Sequence, residues 1–133
     1  MQRTLILLKP ETIANNLVGK IITELEKIKN IKFIKFKFFT FNLEQVTNFY
    51  KSLSEKEFFP IYSKHMISGP VLSIVLEGQN IIKRVRKVLG DTNPKMASSK
   101  SIRGRYAKTI GENLMHASDS LESFFNEYSL IFD

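Results

Sequence analysis

The sequence predicts an α+β sandwich, a four-stranded and mainly antiparallel sheet with helices covering one face. Three observations lead to it. Strand-length runs at 4–8, 31–41, 71–76 and 114–116 alternate with segments whose apolar residues recur at helical spacing. The chain has 133 residues, 43% of them hydrophobic, which supplies one packed core and not two, so a single domain spans residues 1–133. No internal repeat, low-complexity tract or linker interrupts the pattern.

Thr4 to Leu8 is a continuous apolar run, suited to a strand buried on both faces, that runs into a loop at Lys9-Pro10. Leu17, Val18, Ile21, Ile22, Leu25 and Ile28 then repeat on one helical face, with Asn15 or Asn16 available as N-cap. From Ile31 to Phe41 the chain alternates as a half-buried strand does, Ile34, Phe36 and Phe38 against Lys35 and Lys37. The slip at Phe33-Ile34 marks a bulge or a late start. Asn42 with Gln45 has the form of a capping box for a helix carrying Val46, Phe49, Tyr50 and Leu53, and Pro60 limits the regular structure possible after Phe58-Phe59. Beyond Ser68-Gly69-Pro70, Val71 to Leu76 reads as the third strand, ended by Glu77-Gly78. Ile81, Ile82, Val85, Val88 and Leu89 form a helical face closed by Gly90. Residues 91–109 have no apolar period and read as a long loop, of the kind that is functional or disordered. Leu114 to His116 is the fourth strand, and Ser118-Asp119-Ser120 caps a last helix that turns Leu121, Phe124, Phe125 and Tyr128 inward.

Twenty Lys and Arg against thirteen Asp and Glu give +7, which favours an anionic partner without naming one. Charged residues at 25% and eleven Phe exclude the disordered and membrane-embedded classes. The run Leu5 to Leu8 is far shorter than the roughly 20 residues a membrane span requires, and no secretory or transit segment is visible, so cytoplasmic residence without membrane association is expected. Absence of Cys removes disulfides, thiolate zinc sites and thiol nucleophiles, and two His, at 65 and 116, argue against a His-based metal site.

In Lys83-Arg84-Val85-Arg86-Lys87, Arg84 and Arg86 flank the apolar stripe and either could reach a cleft beside the sheet. A solvated basic face is the alternative, and position does not choose between the two arginines. The next loop adds Thr92, Asn93, Lys95, Lys100, Arg103 and Arg105, groups that suit phosphate oxygens. Neither a P-loop nor a Rossmann fingerprint occurs, so any phosphate site must be assembled from side chains. In Asn113-Leu114-Met115-His116-Ala117-Ser118-Asp119-Ser120 a histidine lies among polar residues just ahead of a helix. A structural role competes with a catalytic one there, yet imidazole is the one common side chain left in this sequence that attacks phosphorus as a neutral nucleophile near neutral pH. Its other nitrogen needs an acceptor, and Glu127 provides one if the last helix packs back beside the strand. His65 has no polar constellation around it and reads as an ordinary helix or surface residue.

Residues 113–120 resemble the N-x-x-H-G-S-D-S active-site motif of nucleoside diphosphate kinases. Arg3-Thr4-Leu5-Ile6-Leu7-Leu8-Lys9-Pro10, Ser68-Gly69-Pro70-Val71, Leu89-Gly90-Asp91-Thr92-Asn93-Pro94 and Ser101-Ile102-Arg103-Gly104 resemble segments of the same family in the same order, so the resemblance covers nearly the whole chain. It implies a ferredoxin-like sandwich and a ping-pong transfer of the γ-phosphate of a nucleoside triphosphate, typically ATP, to a nucleoside diphosphate through a phosphohistidine. His116 matches the nucleophile, Glu127 the group that orients it, and Ser118 the support of that carboxylate. Arg86, Thr92 and Arg103 match phosphate-binding positions, which favours Arg86 over Arg84. Lys9 and Asn113 match contacts to the sugar hydroxyl, Lys9 also lying near the transferred phosphate, and Tyr50 matches a tyrosine near the histidine. Phe58 matches the aromatic that stacks on the base, which implies broad base specificity. Mg2+ is implied as the ion bridging nucleotide phosphates, reached by Asp119 through water and not as a ligand, and a homo-oligomer, tetramer or hexamer, is implied as the assembly.

This sequence departs from the family pattern at Ala117, where glycine is usual and where a side chain restricts the backbone, at Ser99-Lys100, usually Pro-Gly, and at Arg105, commonly acidic. It also stops at Asp133, without the C-terminal extension of longer members. A rival reading is an RNA-recognition module, with Phe36, Phe38 and Phe41 among lysines, but its signature needs a glycine and none lies between Asn30 and Asn42. That reading also leaves His116 unexplained, so nucleic acid is not the expected partner. An inactive relative kept as a scaffold is a third reading, opposed by the functional residue type at every matched position.

Overall fold

In the computed structural model, which describes residues 1–109 and 112–132, strands β1 (Gln2–Leu8), β2 (Lys32–Phe39), β3 (Val71–Gly78) and β4 (Met115–Ala117) form one sheet. Its spatial order is β2-β3-β1-β4 with each pair antiparallel, the arrangement of a ferredoxin-like sandwich. The inner strands β1 and β3 are the two continuous apolar runs, and helices cover both faces of the sheet, not the one face expected. Leu5, Leu7, Val71 and Val75 pack against α3 (Leu43–Phe49), α4 (Phe59–Met66) and α7 (Leu121–Phe132). Ile6, Leu8, Leu72, Ile74 and Leu76 pack against α2 (Val18–Glu26), α5 (Ile81–Leu89) and Ile102 of α6 (Ile102–Tyr106). The physical reason is that a strand apolar at every position leaves neither of its faces fit for water, and each fully buried Leu or Ile contributes roughly 1.5–3 kcal/mol.

Edge strand β2 carries the expected bulge, between Phe33 and Lys35, and that bulge reassigns the faces. Ile34 joins the α3/α4/α7 side while Phe33 packs on the other, stacked on Phe36 at 5.6 Å. Phe36 and Phe38, opposite Ile74 and Leu72, are 51% and 62% exposed. The lysines that alternate with them are engaged: Lys35 Nζ bonds the Tyr128 hydroxyl and Lys37 Nζ donates to Ile131 O at 2.6 Å, placing cations at the negative end of α7.

Two prolines start helices where a loop or a limit is expected. Pro10 opens α1 (Pro10–Ala14) and Pro60 sits in the first turn of α4, positions where the missing N–H costs nothing. Asn15 therefore caps the end of α1 and Asn16 is left-handed (φ 56°), so neither is the N-cap of α2, which is Leu17. The capping box of α3 is present, with Asn42 Oδ1 accepting from Gln45 N and Gln45 Oε1 from Asn42 N, both at 2.8 Å. α3 ends at Phe49, and a 3-10 turn, Lys51–Leu53, follows Tyr50. Gly90 closes α5 at φ 93°, where an added Cβ would lie 2.4 Å from Ser101 Oγ. The expected loop 91–109 contains α6, capped by Ser101 Oγ accepting from Gly104 N. α7 is capped by Ser120 Oγ accepting from Ser123 N, and buries Phe124, Glu127 and Ile131. That stripe turns Phe125 outward (62% exposed) with Leu121 (43%), against the inward orientation expected of both. Among the described residues no helix is long and apolar enough to cross a membrane.

Candidate active site

β4 has three residues and pairs with β1 through Leu8–Met115, Leu7–His116 and Ile6–Ala117. Strand alternation sends Met115 and Ala117 into the α2/α5 core and His116 to the opposite face, toward α3 and α7. There Glu127, 8% exposed on the buried stripe of α7, places Oε2 2.6 Å from His116 Nε2. Its Oε1 accepts from the fully buried Ser118 Oγ at 2.7 Å, and Ser118 is held by Leu5, whose N–H donates to Oγ at 3.2 Å and whose carbonyl accepts Ser118 N–H at 3.0 Å. A carboxylate only accepts, so Nε2 carries a proton, and in the neutral form of the ring the lone pair is on Nδ1. Nδ1 has no hydrogen-bond partner among the described residues. Phe49 and Tyr50 meet the imidazole edge-on, with centroids at 5.1 and 5.8 Å.

The Tyr50 hydroxyl is buried without a partner among the described residues. Burial first, then the neighbouring Tyr62, holds its pKa well above the ordinary phenol value, so it stays a donor. Lys9, 3% exposed, donates from Nζ to Asn113 Oδ1 at 2.7 Å and lies 5.0 Å from the Tyr62 ring centre. Asp119, accepting from Ser123 Oγ at 2.6 Å, is held below the usual carboxylate range chiefly by that bond, with Arg86's charge assisting.

The two candidate arginines of α5 separate cleanly. Arg84 bonds the carbonyls of Gln79 and Lys29, on the α2 side. Arg86 Nη1 donates to Ala117 O at 2.9 Å, next to His116. Arg103, 5% exposed, bonds three carbonyls: Asn113 from Nε (3.1 Å), Gly90 from Nη1 (3.0 Å) and Met115 from Nη2 (2.7 Å). Burial, then the charge of Arg86, lowers its pKa to about 10, so it is still a cation at neutral pH. Two of its five N–H groups remain beyond this structural task, which the sequence did not reveal.

His116, Tyr50, Asp119 and Glu127 line a cleft of about 610 Å³ between α3 and α7. Lys9, Phe58, Thr92 and Asn113 line a cavity of about 680 Å³. The two adjoin, because Tyr50 lines the first, Tyr62 the second, and their rings lie 5.2 Å apart. Thr92 also accepts on its carbonyl from Asn113 Nδ2 at 3.4 Å, and half-exposed Phe58 forms part of the cavity wall. Among the described residues no group of three or more His, Cys, Asp or Glu could hold a metal. The donor set suits an ion carried in on phosphates, with Asp119 a second carboxylate, after Glu127, in the lining of the histidine's cleft.

His65 is not the isolated residue expected. Its Nε2 is 2.7 Å from Oε1 of buried Glu11, and its ring lines the larger cavity. The missed signal is Pro10 as a helix start, which puts Glu11 and Thr12 in a buried first turn. Ala117 has no left-handed φ, so the side chain there imposes no left-handed strain; in this segment the left-handed residue is Leu114, at φ 79°.

The family model described as nucleoside diphosphate kinase matches residues 2–133. A nucleoside diphosphate kinase of Kosmotoga olearia is 38% identical over 133 residues, covering 100% of this chain and 90% of its own. One of Staphylococcus carnosus is 39% identical, with 100% and 88% covered. Among solved structures, the Aquifex aeolicus nucleoside diphosphate kinase superposes with TM-score 0.91 at 37% identity, covering 99% of this chain and 95% of that one. That of Encephalitozoon cuniculi gives 0.95 at 35%, covering 99% and 89%.

Proposed function

The chain belongs to the nucleoside diphosphate kinase family, a family of phosphotransferases, and from that premise we propose a ping-pong reaction through a phosphohistidine at His116 Nδ1. The observation that carries the reading is the 2.6 Å bond between His116 Nε2 and Glu127, which commits one ring nitrogen and leaves the other as the nucleophile. In the first half-reaction the Nδ1 lone pair attacks the γ-phosphorus. The N–P bond forms, the bridging P–O bond breaks, and the nucleoside diphosphate leaves with that electron pair. In the second, a terminal oxygen of a nucleoside diphosphate attacks the phosphohistidine and restores the lone pair. Glu127 stabilises the cationic ring formed during attack and holds its tautomer, while Ser118 fixes the carboxylate.

Lys9, Arg86 and the free donors of Arg103 neutralise phosphate charge as it redistributes, with Thr92 as a further donor and Tyr50 walling the site beside His116. Lys9 and Asn113 face the sugar hydroxyl, and Phe58 offers a π face any base can use, which gives broad base specificity. Mg2+ carried in on the nucleotide phosphates would supply additional charge neutralisation, and Asp119 is the residue that would help hold it there. The free edge of β2, with Phe36 and Phe38 exposed beside it, supports assembly of copies of the chain into a tetramer or hexamer. Cytoplasmic residence belongs to the same reading. Incubation with γ-labelled ATP and Mg2+ is expected to leave an acid-labile phosphate that any nucleoside diphosphate discharges. A His116→Ala chain that is still labelled and active overturns the mechanism.

A further inference from the structure

Glu11 lies 7% exposed in the first turn of α1, and no step of the proposed reaction uses it. Its oxygens serve two different segments. Oε1 is 2.7 Å from His65 Nε2 of α4, and Oε2 accepts the Leu114 N–H at 3.2 Å. The Leu114 carbonyl accepts from Lys9 N–H at 2.8 Å and from Thr12 Oγ1 at 2.6 Å. Both backbone polar groups of Leu114 are thus held by the turn between β1 and α1. Leu114 needs such holding, because a leucine at φ 79° persists only where its surroundings over-determine it. It is also the residue that joins Asn113 to Met115 and His116.

The carboxylate can only accept, so His65 Nε2 carries the proton and donates it. Removing that donor leaves Glu11 Oε1 without its partner at the cleft that Glu11 and His65 both line, and the carboxylate is then free to turn toward water and withdraw Oε2 from Leu114. The His65 side chain is 28% exposed and also lines the cavity of Lys9, Phe58 and Asn113.

We propose that His65 is a positioning residue that acts through Glu11 to lock the left-handed Leu114 turn, and so sets the rate at which His116 is phosphorylated and not the affinity for nucleotide. The proposal rests on the phosphohistidine reading above. His65→Phe keeps a ring of similar size without a donor, and His65→Gln keeps an N–H at similar reach. The readouts are rapid-quench labelling of His116 at saturating γ-labelled ATP, and equilibrium titration with ADP for Kd.

His65→Phe is expected to label about tenfold more slowly with Kd within about twofold of wild type, and His65→Gln to recover most of the rate. In the double variant with Glu11→Gln, the loss should not exceed that of the slower single variant. His65→Phe labelling at the wild-type rate overturns the proposal. So does a parallel loss of rate and affinity, a His65→Gln as slow as His65→Phe, or losses that add in the double variant. If His65→Phe does not fold, His65→Gln and Glu11→Gln with their double variant still decide. A wild-type protein that is never labelled on histidine defeats the underlying reading instead, so the two failures are distinguishable.

Discussion

Glu127→Ala removes a carboxylate on which two short hydrogen bonds converge, 2.6 Å to His116 Nε2 and 2.7 Å from Ser118 Oγ. Ser118 keeps its bonds to Leu5, so no buried group is orphaned and the fold should survive with a fall in Tm of a few degrees. The loss falls on orientation and on the charge that offsets the cationic ring. Partners one shell out from a reacting group are typically worth 10–100-fold, or about 1.4–2.7 kcal/mol of barrier. Rapid-quench measurement with γ-labelled ATP should show phosphoenzyme forming about 10–100-fold more slowly, with nucleotide Kd unchanged within about twofold. Glu127→Gln should lie between: its amide oxygen can accept from Nε2, and Ser118 can accept from the amide while donating to Leu5 O. A Glu127→Ala enzyme with the wild-type rate, or with affinity lost in proportion to rate, refutes the orienting role.

Arg103→Met strips the carbonyls of Gly90, Asn113 and Met115 of their buried donor; at about 1 kcal/mol or more each, Tm by calorimetry should fall by about 10 °C, and a fall under about 2 °C contradicts the bracing role. Glu24 is held below its ordinary 4.5 by bonds from Arg105 and then Lys27. A lowered folded pKa contributes stability that is complete above the unfolded value and is lost as pH falls through the folded one. The Tm gap between wild type and Glu24→Gln should therefore be present at pH 7, diminish as pH falls below the ordinary 4.5 and shrink in about 1 M salt, whereas a pH-independent gap refutes the pairing. Ala117→Gly should keep activity within about twofold and cost about 0.5–1 kcal/mol, because Ala117 is unstrained within β4. A glycine variant that is both more stable and several-fold faster contradicts this.

The legible parts of the fold are those whose signal is local. Continuous apolar runs mark β1 and β3, Asn42-Gln45 marks α3, and Gly90 marks the end of α5. The same runs also imply burial on both faces, which the one-face expectation overlooks. α1 and α4 are obscured because proline reads as a breaker although its position suits a first turn. The faces of β2 cannot be read through a one-residue bulge, since a slip of one exchanges the sides.

For the site, the order of motifs leads to His116, Glu127 and Ser118, and the fold joins the three in one hydrogen-bonded series. The choice between Arg84 and Arg86 depends on where α5 packs, which the spacing does not carry. Arg103's three carbonyl bonds and the Glu11–His65 pair join segments 10 to 54 positions apart, a tertiary fact with no local pattern.

The central claim is tested most directly by locating the phosphoryl group on the trapped intermediate. Phosphorus–proton correlation NMR of protein phosphorylated by ATP should place it on Nδ1 of His116, the nitrogen that Glu127 leaves free. A phosphoryl group on Nε2, or on any other side chain, would contradict the account.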